Sequence, residues 1–410
     1  MEKKAEISRR DFLKGTTAVA GASAAVLGGL APARVLGAND RIRIGTLGTG
    51  ERCKVLMRAF KEDPSVDLVA CADVYGVRRD QGLKLCPPEA KGYTDYRAVL
   101  DRKDIDAVII GSPDHWHIPM LLDALHAGKD VYLEKPVMHS VDEGVPAVRL
   151  AAELKRVVST GTQQRSWAHY LMGKQIIDSG KLGRITFVHS FWYQDLYPLF
   201  SVLEPVDTTQ LDWKAYLRNA PDQPFTLEKF YFWRWFWDFG GGSMTDLFTH
   251  LVDVIQWYMG QTAPKTATVV GNRYHMPWEA PDTLTATFEY PGNFIVSFTH
   301  TVNSRVGDGG ITFFGSEATL KVDREHLAVY PEQGRRVPGT FEPEPEIYVR
   351  TEHDGTLDNV RNFLDCVRTR KTPNANLQAG VEAARTSWIG NTALKRGMKV
   401  AWDPVNERIA

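Results

Sequence analysis

The sequence predicts an α/β protein that opens on a doubly wound parallel sheet and continues into a second half rich in strands. Two observations carry the first part. Short apolar runs alternate with helical runs from residue 41 to residue 159, and a G-x-G turn joins the first strand to the first helix. A third observation carries the second part: successive strand patterns there are separated by turn residues. At 410 residues the chain is too long for one comfortable core, so two domains are expected. Lys and Arg number 49 against 50 Asp and Glu, a balance that excludes a nucleic-acid binder working through a global positive field.

The first 38 residues read as an export signal. Ser8-Arg9-Arg10-Asp11-Phe12-Leu13-Lys14 precedes a weakly apolar stretch from Gly15 to Leu30, followed by Ala31-Pro32-Ala33 and a second small-residue stop at Ala38. Paired arginines ahead of a short apolar core resemble a twin-arginine signal. The apolar run is too short and too rich in Gly and Ala to span a bilayer well, so no membrane span is expected once it is removed. Cleavage after Ala38 would remove a segment of charge +3 and leave a mildly acidic chain of −4. The expected location is periplasmic or secreted. Cys53, Cys71, Cys86 and Cys366 show no metal or redox spacing, so no metal is expected and buried thiols are, with a disulfide left open in an oxidising compartment.

The first strand pattern, Arg41 to Leu47, runs into Gly48-Thr49-Gly50, and a helical pattern follows to Lys61 before Pro64 breaks it. Val66 to Asp73 is apolar almost throughout and ends in an acid, as a strand buried on both faces and closing on a ribose would. Gly48 and Gly50 allow a pyrophosphate close to the backbone, and Glu51 and Arg52 open the helix whose N-terminus supplies free N–H groups. Asp73 favours NAD over NADP, because a 2′-phosphate would meet its charge; Arg78 and Arg79 leave NADP open but are expected on a solvated helix face. Cys53 stands where a third glycine is usual, which predicts looser helix–strand packing.

Further strands are expected at 106–111, 130–133 and 156–159, with helices at 117–127 and 142–155. Ligands bind at the carboxyl ends of such strands. Three polar clusters stand there: Ser112-Pro113-Asp114-His115-Trp116-His117, Glu134-Lys135-Pro136 and Thr162-Gln163-Gln164-Arg165. Beyond them, strands are expected at 185–192, 266–272, 283–290, 293–301 and 311–314, and two long helices at 358–370 and 379–395.

The Gly48/Gly50 turn, the S-P-D-H-W-H segment, Glu134-Lys135-Pro136 and the run Gly240-Gly241-Gly242-x-x-x-Asp246-x-x-x-His250-x-x-Asp253 together resemble the glucose-fructose oxidoreductase and inositol dehydrogenase (Gfo/Idh/MocA) family. The resemblance implies a nucleotide-binding domain at 39–162 and a substrate and oligomerisation domain at 163–410. The second would rest on a large open, mainly antiparallel sheet through which copies associate. It implies NAD or NADP and hydride transfer to or from a secondary hydroxyl of a sugar or cyclitol. Lys135 would hydrogen-bond the reacting oxygen beside the nicotinamide, His250 would act as general acid or base, and Asp246 would orient the imidazole or hold a neighbouring hydroxyl. Asp246 and His250 are four apart, which puts both on one face of a regular helix. Ser112, Asp114, His115, Trp116, His117, Glu134 and Gln163 are expected around the cofactor, and Arg165, Trp192, Tyr193, Arg234 and Trp235 around substrate.

Tyr231 to Phe239 holds seven aromatics in nine residues, either for stacking on sugar faces or for packing in a core or interface. Export raises a further point, because little free nicotinamide is available outside the cytoplasm. A cofactor held tightly and recycled within the site resolves it. Two chemistries satisfy that condition: coupled oxidoreduction of sugars, and redox-neutral glycoside cleavage by C3 oxidation, elimination, hydration and re-reduction. A catalytically silent nucleotide- or sugar-binding protein is the reading from a different class.

Overall fold

Strands that are apolar on both faces need cover on both faces, and the first half of the chain provides it. In the computed structural model, which describes residues 41–196, 203–304, 306, 309–332, 343–351 and 353–410, β1 (Ile42–Leu47), β2 (Val66–Ala72), β3 (Lys91–Tyr93), β4 (Ala107–Ile110), β5 (Asp130–Leu133) and β6 (Val158–Thr160) form one parallel sheet in the order β3-β2-β1-β4-β5-β6. Every residue of β4 and β5 is buried. Helices α1 (Glu51–Lys61), α2 (Gly76–Leu83), α3 (His117–His126) and α4 (Gly144–Glu153) form the crossovers. The export-signal reading concerns residues outside the described ones.

The second half obeys the other rule of sheet burial. Helix α5 (Ala168–Asp178) leads into β7 (Phe187–Tyr193), and helix α6 (Thr249–Met259) precedes β8 (Thr266–Asn272), β9 (Thr283–Tyr290), β10 (Phe294–Thr301), β11 (Gly309–Phe314), β12 (Ala318–Asp323), β13 (His326–Pro331) and β14 (Ile347–Arg350). After α7 (Thr356–Thr369) and α8 (Leu377–Arg396), β15 (Val400–Asp403) and β16 (Arg408–Ile409) complete a ten-stranded sheet ordered β14-β13-β12-β11-β7-β10-β9-β8-β15-β16. All its pairings are antiparallel except β7 with β10. Burial alternates residue by residue along β9 and β10, so one face packs on α6 and α8 and the other is left open. That open face shows Val270, Ile295, Phe187 and Phe314 to solvent.

Two departures from the sequence expectations have clear causes. Helix α5 was not expected, because Gly173 weakens its helical pattern. A Cβ at Gly173 would lie 2.3 Å from Tyr258 Oη, so the glycine is there to admit the tyrosine of α6. Looser packing at Cys53 is not seen either. Cys53 is fully buried, and a Cβ at Gly111 would come within 2.8 Å of its own Cβ, so the small residue stands across the contact at the end of β4.

Helices α7 and α8 follow β14 in sequence, and both reach back to the first sheet. Phe363 of α7 meets Phe60 and Tyr132 edge-on at 5.9 and 5.8 Å, and Asn359 Nδ2 donates to Tyr132 Oη and Thr160 O. Helix α8 starts at Asn376, whose side chain accepts from Ala379 N, and stops at Gly397 with φ of +62°. Between those ends it touches both halves, Val381 and Trp388 in one core and Ile389 and Ala393 in the other. Replacing Phe363 with Ala removes a buried ring at this junction and is expected to cost about 3–5 kcal/mol. Urea unfolding read separately from the two halves should show both shifting together; a shift confined to one half would contradict the coupling.

Candidate functional site

The carboxyl ends of β1, β2, β4 and β5 open into a cavity of about 840 Å³, which is the size of a cofactor site. Its first wall is the glycine turn. Gly48 has φ of +80°, and a Cβ there would stand 2.8 Å from the Ser112 backbone, so only glycine lets β1 and β4 approach. Gly50 has nothing within 4 Å of its would-be Cβ and faces open space. It precedes α1, whose start has no side-chain cap, leaving first-turn N–H groups for a ligand. Asp73 ends the next strand. Its Oδ2 accepts from Thr49 N at 2.7 Å and its Oδ1 from Tyr75 N at 2.9 Å, which ties the acid to the glycine turn. Glu51, Arg52, Ser112, Trp116, Glu134, Lys135 and Gln163 line the same cavity. Ser112 Oγ and Gln163 Oε1 are buried without a protein partner. A cradle that a side chain would fill, uncapped N–H groups and unpaired polar atoms at its rim together fit a dinucleotide.

At the inner end stands a buried charge cluster. Lys135 Nζ donates to Asp246 Oδ1 at 2.6 Å and to Asp246 O at 2.5 Å, and Arg234 Nε donates to the same Oδ1 at 3.0 Å. Burial alone would raise the Asp246 pKa, but the two cations and their hydrogen bonds hold it down to about 2. Glu134, the residue before Lys135, binds Arg52 Nε through Oε1 at 2.7 Å and accepts the Lys135 backbone N–H through Oε2.

Asp246 and His250 do not ride on one regular helix. Met244–Phe248 form a π-helical turn, and α6 begins only at Thr249, so the pair straddles a junction. The glycine run makes this possible. Gly242 has φ of +63°, a Cβ at Gly240 would stand 2.7 Å from Arg234 backbone atoms, and a Cβ at Gly241 would clash with Thr245 and Asn391. His250 lines the cavity, its ring stacked near Trp192 at 6.2 Å and 26°, with Nδ1 buried and unpaired. Burial, then the charges of Lys135, Arg324 and Arg52, push its pKa well below the usual histidine value. The imidazole is neutral.

Other residues singled out in the sequence lie elsewhere. His117 is fully buried beneath the cavity, its ring nitrogens 2.5 Å from Pro136 O and 2.9 Å from Ser112 O, where it links the ends of β4 and β5. His115 meets Tyr216 O through Nε2 at 2.8 Å and packs on Phe239. Asp114 is buried, and desolvation raises its pKa well above the carboxylate range. Arg165 is spent on an ion pair with the buried Asp253 at 2.9 Å. Trp192 lines a smaller cavity of about 270 Å³, and Tyr193 Oη bonds Thr299 Oγ1. Trp235 is buried and stacked on Trp278 at 4.6 Å. The aromatic run as a whole forms a core with Tyr75, Tyr216 and Trp278, and only Tyr231, Trp233 and Arg234 of it reach the cavity.

Several lining residues escaped the sequence reading, Arg78, Arg324 and Asp354 among them. Arg78 was expected in solvent; it lines the cavity with Asp73 and lies over the Phe230 ring at 4.2 Å, because that ring is brought in from a distant segment. Arg324 lies over Trp192 at 4.7 Å and borders both cavities from the turn between β12 and β13. Asp354 enters just ahead of α7. Neither of the last two carries a local motif. Among the described residues no group of three His, Cys, Asp or Glu could hold a metal, and no helix is long and apolar enough to cross a membrane.

Comparison with known proteins agrees with this geometry. Residues 42–162 match the profile described as oxidoreductase family, NAD-binding Rossmann fold; residues 214–321 match the GFO/IDH/MocA C-terminal domain; residues 6–26 match the twin-arginine translocation signal sequence. Inositol 2-dehydrogenase of Salmonella typhimurium is 31% identical over 153 residues, 37% of this chain and 44% of its own length. Glycosyl hydrolase family 109 protein 1 of Shewanella sp. is 27% identical over 204 residues, 47% of this chain and 42% of its own length. The chain thus spans less than half the length of these curated relatives. A solved levoglucosan dehydrogenase, in complex with NADH and levoglucosan, superposes with a TM-score of 0.70 at 16% identity, covering 88% of this chain and 99% of its own.

The buried imidazoles make stability pH-dependent. Burial lowers the pKa of His115 to about 3 and of His117 and His300 to about 4, and it also lowers His139, His169, His189 and His250. Unfolded histidine titrates near ~6.5, so below that pH the unfolded chain binds more protons and the folded state loses stability until the folded pKa is passed. Asp114, Asp253 and Glu382, whose pKa values burial raises, act in the opposite sense but are fewer. The urea midpoint, followed by tryptophan fluorescence, should fall between pH 7 and pH 5. A flat or rising midpoint would contradict neutral buried histidines.

Proposed function

The chain belongs to the GFO/IDH/MocA oxidoreductase family, and from that membership we propose that it is an exported NAD-dependent oxidoreductase acting on a secondary hydroxyl of a sugar or cyclitol, in the periplasm or outside the cell. The observation that carries the reading is Lys135: an ammonium held by Asp246 that lines the same cavity as the Gly48–Gly50 turn, although the two lie far apart in sequence. Gly48, Gly50, the α1 N-terminus and Asp73 would hold the dinucleotide, with Ser112, Glu134 and Gln163 at its other end. When bound, NAD supplies a hydride acceptor that returns the hydride in the reverse direction. Arg78 beside Asp73 offers a partner for a 2′-phosphate, so NADP is the second cofactor to test.

Each chain residue then has a task in proportion to its surroundings. Lys135 donates from Nζ to the reacting oxygen and steadies negative charge as the hydroxyl proton leaves. His250, neutral and cavity-lining, takes or returns that proton at a ring nitrogen. Asp246 fixes the positions of Lys135 and Arg234 through its two ion pairs. Arg234, Tyr231 and Trp233 present one cation and two rings to a hydroxylated substrate. The open face of the large sheet, with its exposed Phe187, Ile295 and Phe314, would be covered by a second copy.

A second reading rests on the glycosyl hydrolase family 109 relative, whose alignment is longer than that of the inositol dehydrogenase. There the same groups would oxidise a sugar at C3, the C2 proton and the aglycone would leave, water would add, and re-reduction would restore the cofactor. Both readings require the cofactor to stay bound after export.

Incubating mature protein with free sugars, 3-keto sugars and nitrophenyl glycosides, while following nicotinamide absorbance and phenol release, separates them. Hydride transfer without phenol release supports the first reading, and phenol release without net reduction supports the second. Lys135→Met should lower either rate by at least ~10²-fold while leaving bound NAD detectable by mass spectrometry. Unchanged activity in that variant would sink both, and mature protein that carries no nicotinamide would sink retention.

A further inference from the structure

The strand and helix that frame the Asp73 side of the cavity bring two thiols into contact. Cys71, fully buried, lies in β2 two residues before Asp73; Cys86, half-buried, lies three residues past the end of α2. Their sulfurs are 3.6 Å apart, and Cys86 Sγ also lies 3.6 Å from Gly82 O. The contact comes from the close seating of α2 on β2. A Cβ at Gly82 would stand 3.3 Å from Cys71 Sγ and 2.9 Å from Thr49 Cγ2, so α2 rests on both the strand and the glycine turn. Neither thiol has a role in the chemistry above, and Cys53 and Cys366 sit in other packing: Cys53 against Gly111, Cys366 on α7.

The loop between these two sulfurs is the wall of the cavity. Asp73, Val74, Tyr75, Val77, Arg78 and Gln81 all line it, and all lie between positions 71 and 86. A bond across the base of that segment would restrict the motions by which it could swing away from a bound dinucleotide.

We propose that Cys71 and Cys86 form a disulfide when the folded protein meets an oxidising compartment, and that the bond slows release of the dinucleotide. The half-buried Cys86 thiolate attacks a disulfide donor, either a small-molecule or a protein disulfide, and one donor sulfur leaves as a thiol. The Cys71 thiolate then attacks Cys86 Sγ, and the second donor sulfur leaves. Two protein thiols lose two protons and two electrons, and one donor disulfide gains them as two thiols. The pair is assembled by tertiary contact and not by sequence spacing, so it forms only in the folded chain. The effect on release rests on the NAD-binding reading above; bond formation does not.

The test uses the mature chain made without its signal under reducing conditions, then exposed to oxidised glutathione. Maleimide labelling after denaturation should count four thiols before oxidation and two afterwards, with peptide mapping joining the Cys71 and Cys86 peptides. Cys86→Ser should keep its three thiols. Four labelled thiols in the oxidised protein, or a different pair joined, would overturn the proposal. In stopped-flow competition with NAD⁺, dissociation should slow by roughly tenfold on oxidation. Dithiothreitol should reverse the change, and Cys86→Ser should not show it. Bond formation with an unchanged dissociation rate would overturn the clamp and leave the bond. Protein that binds no NAD⁺ in either state would overturn the functional reading, and the thiol count would still decide the disulfide.

Discussion

Asp246 is the point through which the two halves of this protein are made to agree. Its carboxylate receives Lys135 from the end of the parallel sheet and Arg234 from the aromatic segment, and it stands in the π-turn that launches α6. A carboxylate buried with only one of those cations would still carry a large desolvation cost; with two, and with direct hydrogen bonds, the ionised form is favoured. The same geometry requires Gly240, Gly241 and Gly242, because a side chain at any of them would push the turn away from Arg234, Asn391 or Ala280. Charge placement and backbone shape are therefore one constraint, expressed twice.

That constraint shapes the electrostatics of the whole cavity. The inner end gathers Lys135, Arg234, Arg324 and Arg52 around a neutral imidazole, while Glu134 and Asp246 balance part of the charge. On the function proposed above, a neutral His250 surrounded by cations would take up a proton as negative charge develops nearby, and Lys135 would stabilise that charge. The outer end is different in kind: backbone N–H groups at α1, a glycine turn and one acid tied to that turn. On the proposed function, the backbone end would hold the dinucleotide while the charged end meets the reacting group.

Helix α8 ties together the two sides of the charge cluster. Trp388 Nε1 donates to Met138 O just past the Lys135–Pro136 segment, and Asn391 Nδ2 donates to Gly241 O in the glycine run. Three residues apart on one helix, they place the two sides of the charge cluster on a common rigid rod. The last helix of the chain thus positions residues that lie more than a hundred positions before it.

The parallel sheet, its glycine turn, Asp73 and the polar strand ends were legible in the sequence because they obey local rules: apolar runs, a fixed spacing and a helix start. The β9–β10 hairpin of the large sheet was legible for the same reason, since alternation is written into both strands one residue at a time, whereas β12 to β16 were not expected. Helix α5 was hidden because Gly173 answers to Tyr258 and not to its own helix. Arg78 reaches the cavity only because Phe230 comes to meet it, and Arg324 and Asp354 arrive from turns with no motif of their own. Arg165 and Trp235 looked available and are not, since Asp253 and Trp278 claim them. Sequence by itself determined the fold, the family and the chemical types gathered at the site. Tertiary structure alone decided which side chains face the cavity, because that depends on contacts between segments far apart in the chain, and no local pattern records them.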